Sequence, residues 1–348
     1  MAALDTVFPK TDPAPIFEYY RGAFGSALLT AAVAEFQLFA RLANGPKSQD
    51  TLLHELGLSP RAGNVLLVAM KAMGLLIARA DGSLDLSELA REHLTAGEFD
   101  ISDYVAQAAG SPAVREIVDR LRSNRPAGSE PKDGGVAYIY REGMSSAMEQ
   151  EDAARRHTLA LAGRARNVAP VLAERAKLHD AKLLLDVGGG TGIYSIACLK
   201  RYPQLRAVVW DRPQVLKVAS EFARAQGLAD RLELRPGDMF VDPVPTECDV
   251  MLLSNILHDW DIPECRTLVT RLARALPKDG RLLIHDAFLN DALDGPLPVA
   301  LYSANLFCLT EGRNYSVAEH REWLAEAGLT PGDVVTTLIH CSLLSAKK

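Results

Sequence analysis

The first hundred residues read as helical with one small extended element. A first helix is predicted over 16–43, ended by Asn44-Gly45-Pro46, and a second over 49–56, stopped at Gly57. Ser59 and Pro60 place an N-cap residue and a first-turn proline before a third helix over 60–73. Short apolar runs at 75–79 and 84–86 flank Asp81-Gly82, a hairpin signal. Residues 101–180 read as mostly helical, with a loop composition over 124–135. Beyond it Leu161, Ala165, Val168 and Leu172 recur at helical spacing, which predicts one long amphipathic helix over 150–177. From Lys182 the texture changes. Strand-like runs at 183–187, 207–210, 231–238, 249–255 and 281–288 alternate with helical stretches, including 213–226 and 263–275. Near-continuous apolar strands between helices imply a parallel sheet covered on both faces. The last two runs, 333–339 and 342–346, are too closely joined for a crossover and are predicted to form an antiparallel hairpin at the sheet edge.

This pattern predicts an α/β chain in three spans: a helical domain over 1–100, a helical connector over 101–180 and a sheet domain over 181–348. A length of 348 residues fits more than one core. Helix, helix, hairpin is the order of a winged-helix unit, which raises DNA binding. Charge argues against it: residues 1–100 hold eight basic residues against twelve acidic ones. The helix after Pro60 offers only Arg61 and Lys71, whereas a phosphate-contacting helix needs a basic face. The whole chain is acidic at −6, and no nucleic-acid partner is expected. Packing or dimerisation is the expected role of this region. Ala31, Ala32, Val33, Phe36, Leu38 and Phe39 fall within nine positions, more apolar surface than a lone small domain is expected to cover, so a homodimer is expected.

Five scattered cysteines without a C-x-x-C pair fit reduced thiols. No run reaches the roughly 18 apolar residues of a membrane span. The closest, 26–42, is interrupted by Glu35, Gln37 and Arg41. The first residues lack the basic-then-apolar order of a secretory signal, so a cytoplasmic setting without a membrane partner is expected.

The strongest local signal is Asp186-Val-Gly188-Gly-Gly190-Thr-Gly192, after the first strand of the sheet domain and before a helix. Glycines there let backbone approach a ligand closely. The dinucleotide fingerprint does not fit, because the position of its third glycine is Ile193. Another nucleotide-binding fold, or a structural glycine turn, stays open on the motif alone. Asp211 ends the second strand, where a carboxylate can accept from both ribose hydroxyls. Asp238 and Met239, in Gly237-Asp-Met-Phe, end the third, where a carboxylate and a thioether can flank an adenine ring. The fourth strand ends in Ser254-Asn-Ile-Leu-His258-Asp259-Trp. A histidine there faces the same crevice, and its neutral imidazole can take a proton from a hydroxyl. Asp286, ending the fifth strand, is placed to hold that ring. His285 reads as a satisfied core residue.

These motifs together (LLLDVGGGTG, the Asp-x-Pro at 211–213, GDMF and LHDW) resemble the class I S-adenosylmethionine-dependent small-molecule O-methyltransferases, the family of the plant caffeate-type and hydroxyindole enzymes and many bacterial relatives. The resemblance implies a Rossmann-like methyltransferase domain preceded by a winged-helix-like dimerisation domain. It implies S-adenosylmethionine as methyl donor, bound around Asp186, Gly188, Gly190, Asp211, Gly237, Asp238, Met239 and Ser254. It gives His258 the role of general base, supported by Asp286 and Asn314, and it implies an acceptor site near Asp259. Tyr140 and Met144, in YREGM, are similar to the segment that covers the acceptor in that family. The apolar segment 296–308, with Tyr302 and Asn305, suits an acceptor pocket or an ordinary core helix.

The sequence departs from the plant members at three places. Asp286 stands one methylene short of their first glutamate, and Asn314 replaces the second. Ser254 and Asn255 stand where many members carry a basic residue before the histidine. The implied reaction is methyl transfer to a hydroxyl of a small aromatic molecule, with no metal. Related enzymes methylate nitrogen or carbon, including 2-oxo acids, and a non-catalytic donor-binding regulator is the alternative of another class.

Overall fold

A computed structural model of the chain describes residues 7–126 and 151–348. In chain order the elements are α1 (Ala14–Thr30), α2 (Leu38–Leu42), α3 (Gln49–Leu56), α4 (Pro60–Ala72), β1 (Leu76–Ala78), β2 (Leu84–Leu86), α5 (Glu88–His93), α6 (Ser102–Ala106) and α7 (Pro112–Ser123). After the gap come α8 (Glu151–Arg175), β3 (Leu183–Val187), α9 (Ile193–Arg201), β4 (Arg206–Asp211), α10 (Pro213–Ala225), β5 (Leu232–Pro236), β6 (Val250–Ser254), α11 (Ile262–Ala275) and β7 (Arg281–Ala287). The chain closes with α12 (Leu297–Leu309), α13 (Val317–Glu326), β8 (Thr330–Thr336) and β9 (Cys341–Lys347). Among the described residues no helix is long and apolar enough to cross a membrane. All five cysteines are buried thiols.

By contact the chain divides into two units, each discontinuous in sequence. One takes Ile16–Ala137 and Leu289–Ser316; the other takes Met1–Pro15, Tyr138–Phe288 and Val317–Lys348. The contiguous spans drawn from the sequence do not anticipate that 289–316 joins the N-terminal helices.

The first unit is helical. Serines cap its helices as their side chains allow: Ser48, Ser59, Ser87 and Ser111 each accept from a backbone N–H one turn into α3, α4, α5 and α7. The predicted first helix is broken. After α1 the backbone widens into a π-helical turn over Ala31–Glu35, and Gln37 takes the left-handed conformation, φ 48°. A residue so placed cannot continue a right-handed helix, and Arg41 Nε donates to the Phe36 carbonyl that the break exposes (2.9 Å). The core gathers Leu28, Phe39, Leu66, Met70, Ile117 and Leu121 with Ala304 and Phe307 of α12. Arg61 is buried in it. Its guanidinium donates to the Asn124 carbonyl and side chain and to the carbonyls of Thr310 and Gly312, and it lies 4.5 Å from the centre of the Phe307 ring. That residue therefore ties α4 to α7 and to the turn after α12, and offers nothing to a phosphate.

One sequence argument is corrected here. Ala31, Ala32, Phe36, Leu38 and Phe39 are all buried inside this unit, so they call for no partner. Exposed apolar side chains of this unit include Ile16, Tyr19 and Tyr20 on α1.

The second unit is a seven-stranded sheet in the order β5-β4-β3-β6-β7-β9-β8, with helices over it. Strands β3 to β7 are parallel, and β9 runs antiparallel to β7 and β8. Leu185, Val208, Leu252 and Ile284 lie in its interior, as continuous apolar strands require. The edge hairpin forms, but its first strand begins three residues earlier than predicted. Its turn is built on Ile339 and His340, both left-handed (φ 55° and 59°), and Asp12 accepts from the Ile339 N–H (3.1 Å). No glycine or asparagine marks that turn.

Candidate active site

The strand order reverses between β4 and β6 on either side of β3, so a crevice opens at the carboxyl ends of these strands. The glycine loop leaves β3 there. Gly188 has φ 63° and donates its N–H to the Trp210 carbonyl at 2.8 Å; a methyl group on it would come within 2.6 Å of Ile256 Cδ1. Asp186 sits beneath the loop, 1% exposed. Ser195 donates to its Oδ2 (2.7 Å), Oδ1 has no partner among the described residues, and burial pushes its carboxyl up to about 7. It props the loop from below.

Asp211 ends β4 with both oxygens aligned by backbone. Oδ2 accepts from the Gly190 N–H (2.8 Å) and Oδ1 from the Arg212 N–H (2.6 Å). Burial raises its carboxyl pKa, and these two donors work against that rise. Each oxygen keeps a lone pair for a further donor, as a diol requires. Beyond β5, Gly237 donates to the Asp211 carbonyl (3.0 Å) and lies so close to the Trp210 indole that a side chain there would collide with it. Asp238 Oδ1 accepts from the Phe240 N–H, and its Oδ2 pairs with Arg212 at 3.1 Å. Met239, half-buried, follows. The loop, the Asp211 pair of oxygens and the Asp238–Met239 turn thus form one continuous ledge of acceptors and a thioether, a donor set that fits a nucleoside.

His258 lies on a single 3-10 turn, Leu257–Asp259, after β6. Its ring is buried. Asp286 Oδ1, at the end of β7, is 2.6 Å from Nδ1 and also accepts from the Ala287 N–H at 2.8 Å. A carboxylate there places the ring proton on Nδ1 and turns Nε2 to proton exchange. Asp259 Oδ1 lies 3.7 Å from Nε2, its side chain 34% exposed. Burial opposes a charged imidazole, but Asp286 and Asp259 outweigh it and lift His258 above the ordinary histidine range, while Arg164 pulls the other way. Burial pushes Asp259 up to about 6. Asp286 resists its own burial through His258 and stays below the usual carboxylate range.

The other expected residues divide between the two units. Ser254 Oγ is bonded to Asn255 Nδ2 and to His285 Nδ1, inside the protein. Tyr302, Asn305 and Asn314 belong to the helical unit. There Arg21 stacks on the Tyr302 ring at 3.5 Å, Asn305 is half-buried, and Asn314, fully buried, donates from Nδ2 to the Val299 carbonyl (3.0 Å). Its Oδ1 has no partner among the described residues. Tyr140 and Met144 lie outside the described residues. Among those described, no group of three or more His, Cys, Asp or Glu is arranged to hold a metal ion. A cavity of about 260 Å³ between α8, α9 and α10, lined by Arg166, Pro170, Ile196 and Phe222, contains none of the expected residues. Arg164 of α8, which reaches Asn255 beside this cluster, was not anticipated.

Residues 125–330 match the family described as the O-methyltransferase domain. The 3-hydroxy-5-methyl-1-naphthoate 3-O-methyltransferase of Streptomyces sahachiroi is 32% identical over 91% of this chain and 89% of its own. The L-tyrosine C(3)-methyltransferase of Streptomyces lavendulae is 30% identical over 86% and 82%. A solved O-methyltransferase family 2 protein from Planctomyces limnophilus DSM 3776, in complex with apigenin, aligns over 100% of both chains with a TM-score of 0.88 and 45% identity. With the family match covering most of the chain and relatives aligned along nearly all of it, the chain belongs to the O-methyltransferase family.

Proposed function

We propose that the chain transfers the methyl group of S-adenosylmethionine to a hydroxyl of a small aromatic molecule, with His258 as general base. The observation that carries this reading is the buried His258–Asp286 pair at 2.6 Å beside the glycine loop. When bound, S-adenosylmethionine supplies a methyl already activated by its sulfonium. Asp211 would hold the ribose hydroxyls, Asp238 and Met239 would flank the adenine, and Gly188 and Gly190 would allow close backbone approach. The rest is positioning and proton removal. His258 Nε2 takes the hydroxyl proton, Nδ1–H stays on Asp286, and the carboxylate stabilises the imidazolium that forms.

The reading is tested with His258→Ala. Donor binding by calorimetry is expected within about threefold of the parent, and turnover on a phenol is expected to fall by ~10²–10⁴. Parental turnover overturns the assignment. A panel of phenols, catechols, indoles, amines and 2-oxo acids read by mass spectrometry identifies the acceptor. Carbon methylation is the second reading, favoured by the tyrosine C(3)-methyltransferase relative. Removing a phenol proton also activates the ring carbon beside it, so the same base serves, and fragmentation of the product separates the two.

The helical unit supports a homodimer through α1, whose Ile16, Tyr19 and Tyr20 are 70%, 85% and 75% exposed at i, i+3 and i+4. This gives residues 1–100 a dimerisation role, 101–180 that of a connector and 181–348 donor binding. The burial of Arg61 supports a chain without a nucleic-acid partner, and the five thiols support a cytoplasmic setting.

A further inference from the structure

Asn255 stands three residues before His258 with φ 59°, in the left-handed region, and its backbone N–H donates to the His285 carbonyl at 2.9 Å. A non-glycine residue keeps that conformation where its surroundings over-determine it. Here the side-chain amide is gripped at both ends. Arg164 donates from Nη1 to Asn255 Oδ1 (2.6 Å) and from Nη2 to Cys341 Sγ (2.9 Å). A guanidinium has only donors, so this contact decides which end of the amide is oxygen. Nδ2 then donates to Ser254 Oγ at 3.1 Å and to Tyr194 Oη at 3.3 Å.

The direction propagates. Ser254 Oγ lies 2.9 Å from His285 Nδ1, and its hydroxyl proton can fill that contact. Thr337 gives its hydroxyl proton to the Cys341 carbonyl at 2.9 Å, so it accepts from His285 Nε2, also at 2.9 Å. A neutral His285 with its proton on Nε2 satisfies all of these contacts. Burial and the Arg164 charge push it down to about 3, which agrees. A chain of single-direction hydrogen bonds thus runs from Arg164 through β6 and β7 to the hairpin turn, and its first link holds the turn that carries His258.

We propose that Arg164 is a positioning residue for methyl transfer: by fixing the Asn255 amide it locks the left-handed turn that aims the His258 ring. The groups facing that ring are Asp286 and His285 from β7, Asp259 from its own turn and Arg164 from α8, with His320 of α13 bearing on Asp286. Two carboxylates favour the charged ring, and the guanidinium favours the neutral one that accepts a proton. The inference rests on His258 being the base.

The test compares Arg164→Met, Arg164→Lys and Asn255→Gly with the parent. Two profiles are followed, the pH dependence of kcat and the titration of the His258 ring, the latter by NMR of ¹³C-histidine-labelled protein. Arg164→Met is expected to move both upward by about half a pH unit or more, because a positive charge near the ring is lost. It should also lower kcat by at least about tenfold, while donor affinity stays within about threefold. Arg164→Lys is expected to bring the titration back towards the parent with part of kcat. Asn255→Gly, which keeps the left-handed turn but removes the acceptor, is expected to lose kcat with a smaller titration shift. If Arg164→Met does not fold, Asn255→Gly decides, and parental kcat there overturns the proposal. A His258→Ala enzyme at parental turnover overturns the base reading and with it Arg164's place in the reaction. A crippled His258→Ala enzyme beside an Arg164→Met enzyme with both profiles unmoved overturns the Arg164 proposal alone.

Discussion

His258 meets Asp286 through a short buried contact and Asp259 across a longer, wetter one, and the two do different work. Asp286 keeps its charge and raises the affinity of the ring for a proton; Asp259 is held up near 6. A base must be neutral to act, so on the proposed mechanism activity is expected to rise with pH as His258 deprotonates. The acid limb of kcat/KM is expected above pH 6.5, the ordinary histidine value. Asp286→Asn removes the charge that lifts the ring. Its limb is expected to move to lower pH, opposite to Arg164→Met, with kcat at least about tenfold lower because the imidazolium loses its counter-charge. A limb that stays in place in Asp286→Asn would separate the titrating group from this pair. His258 and Asp286 were legible because the ends of β6 and β7 are neighbours in a parallel sheet, and the sequence places His258 just beyond the first and Asp286 at the end of the second. Arg164 was not. It is one of several arginines along α8, and which of them turns inward depends on packing that spacing does not encode.

At the level of elements, the strand-like runs located every strand of the sheet, most plainly the central ones, since a strand buried on both faces has little freedom in composition. Where the backbone takes a left-handed residue without glycine, at Gln37 and at Ile339-His340, the sequence carries no punctuation and the predicted boundaries slip. The hairpin turn is held by a partner distant in sequence, Asp12, and the break at Gln37 by Arg41 on the Phe36 carbonyl. The glycine at the end of β5 shows the reverse. Gly237 is read as part of the donor-binding Gly-Asp-Met-Phe motif, yet its absent side chain is also what lets the Trp210 indole close against the strand end. Gly237→Ala is expected to cost about 1–3 kcal/mol of stability by overpacking and to weaken donor binding at least about fivefold by displacing Asp238. Denaturant unfolding and calorimetry measure the two; a variant with parental values in both would show that the strand end yields freely.

For the molecule as a whole, composition gave a sound expectation of α/β architecture and a faulty argument for association. The apolar cluster at 31–39 is absorbed by its own core, and the proposed partner surface is the tyrosine-bearing face of α1. Light scattering at micromolar concentration is expected to show a dimer, and Tyr19→Glu combined with Tyr20→Glu a folded monomer. A parental monomer would remove the dimer reading.

The two-piece build of the helical unit bears on how the chain is made. Its core needs Ala304 and Phe307, and the turn at Gly312 completes the seat of Arg61. A ribosome delivers those residues only after it has released β3 through β7. The N-terminal helices therefore wait, with an open apolar groove, while more than 150 further residues are synthesised, the interval in which nascent chains are most exposed to aggregation. A stop codon anywhere before 289 would leave that groove unfilled for good, so truncation products of this chain are natural clients of chaperones and proteases rather than autonomous N-terminal domains.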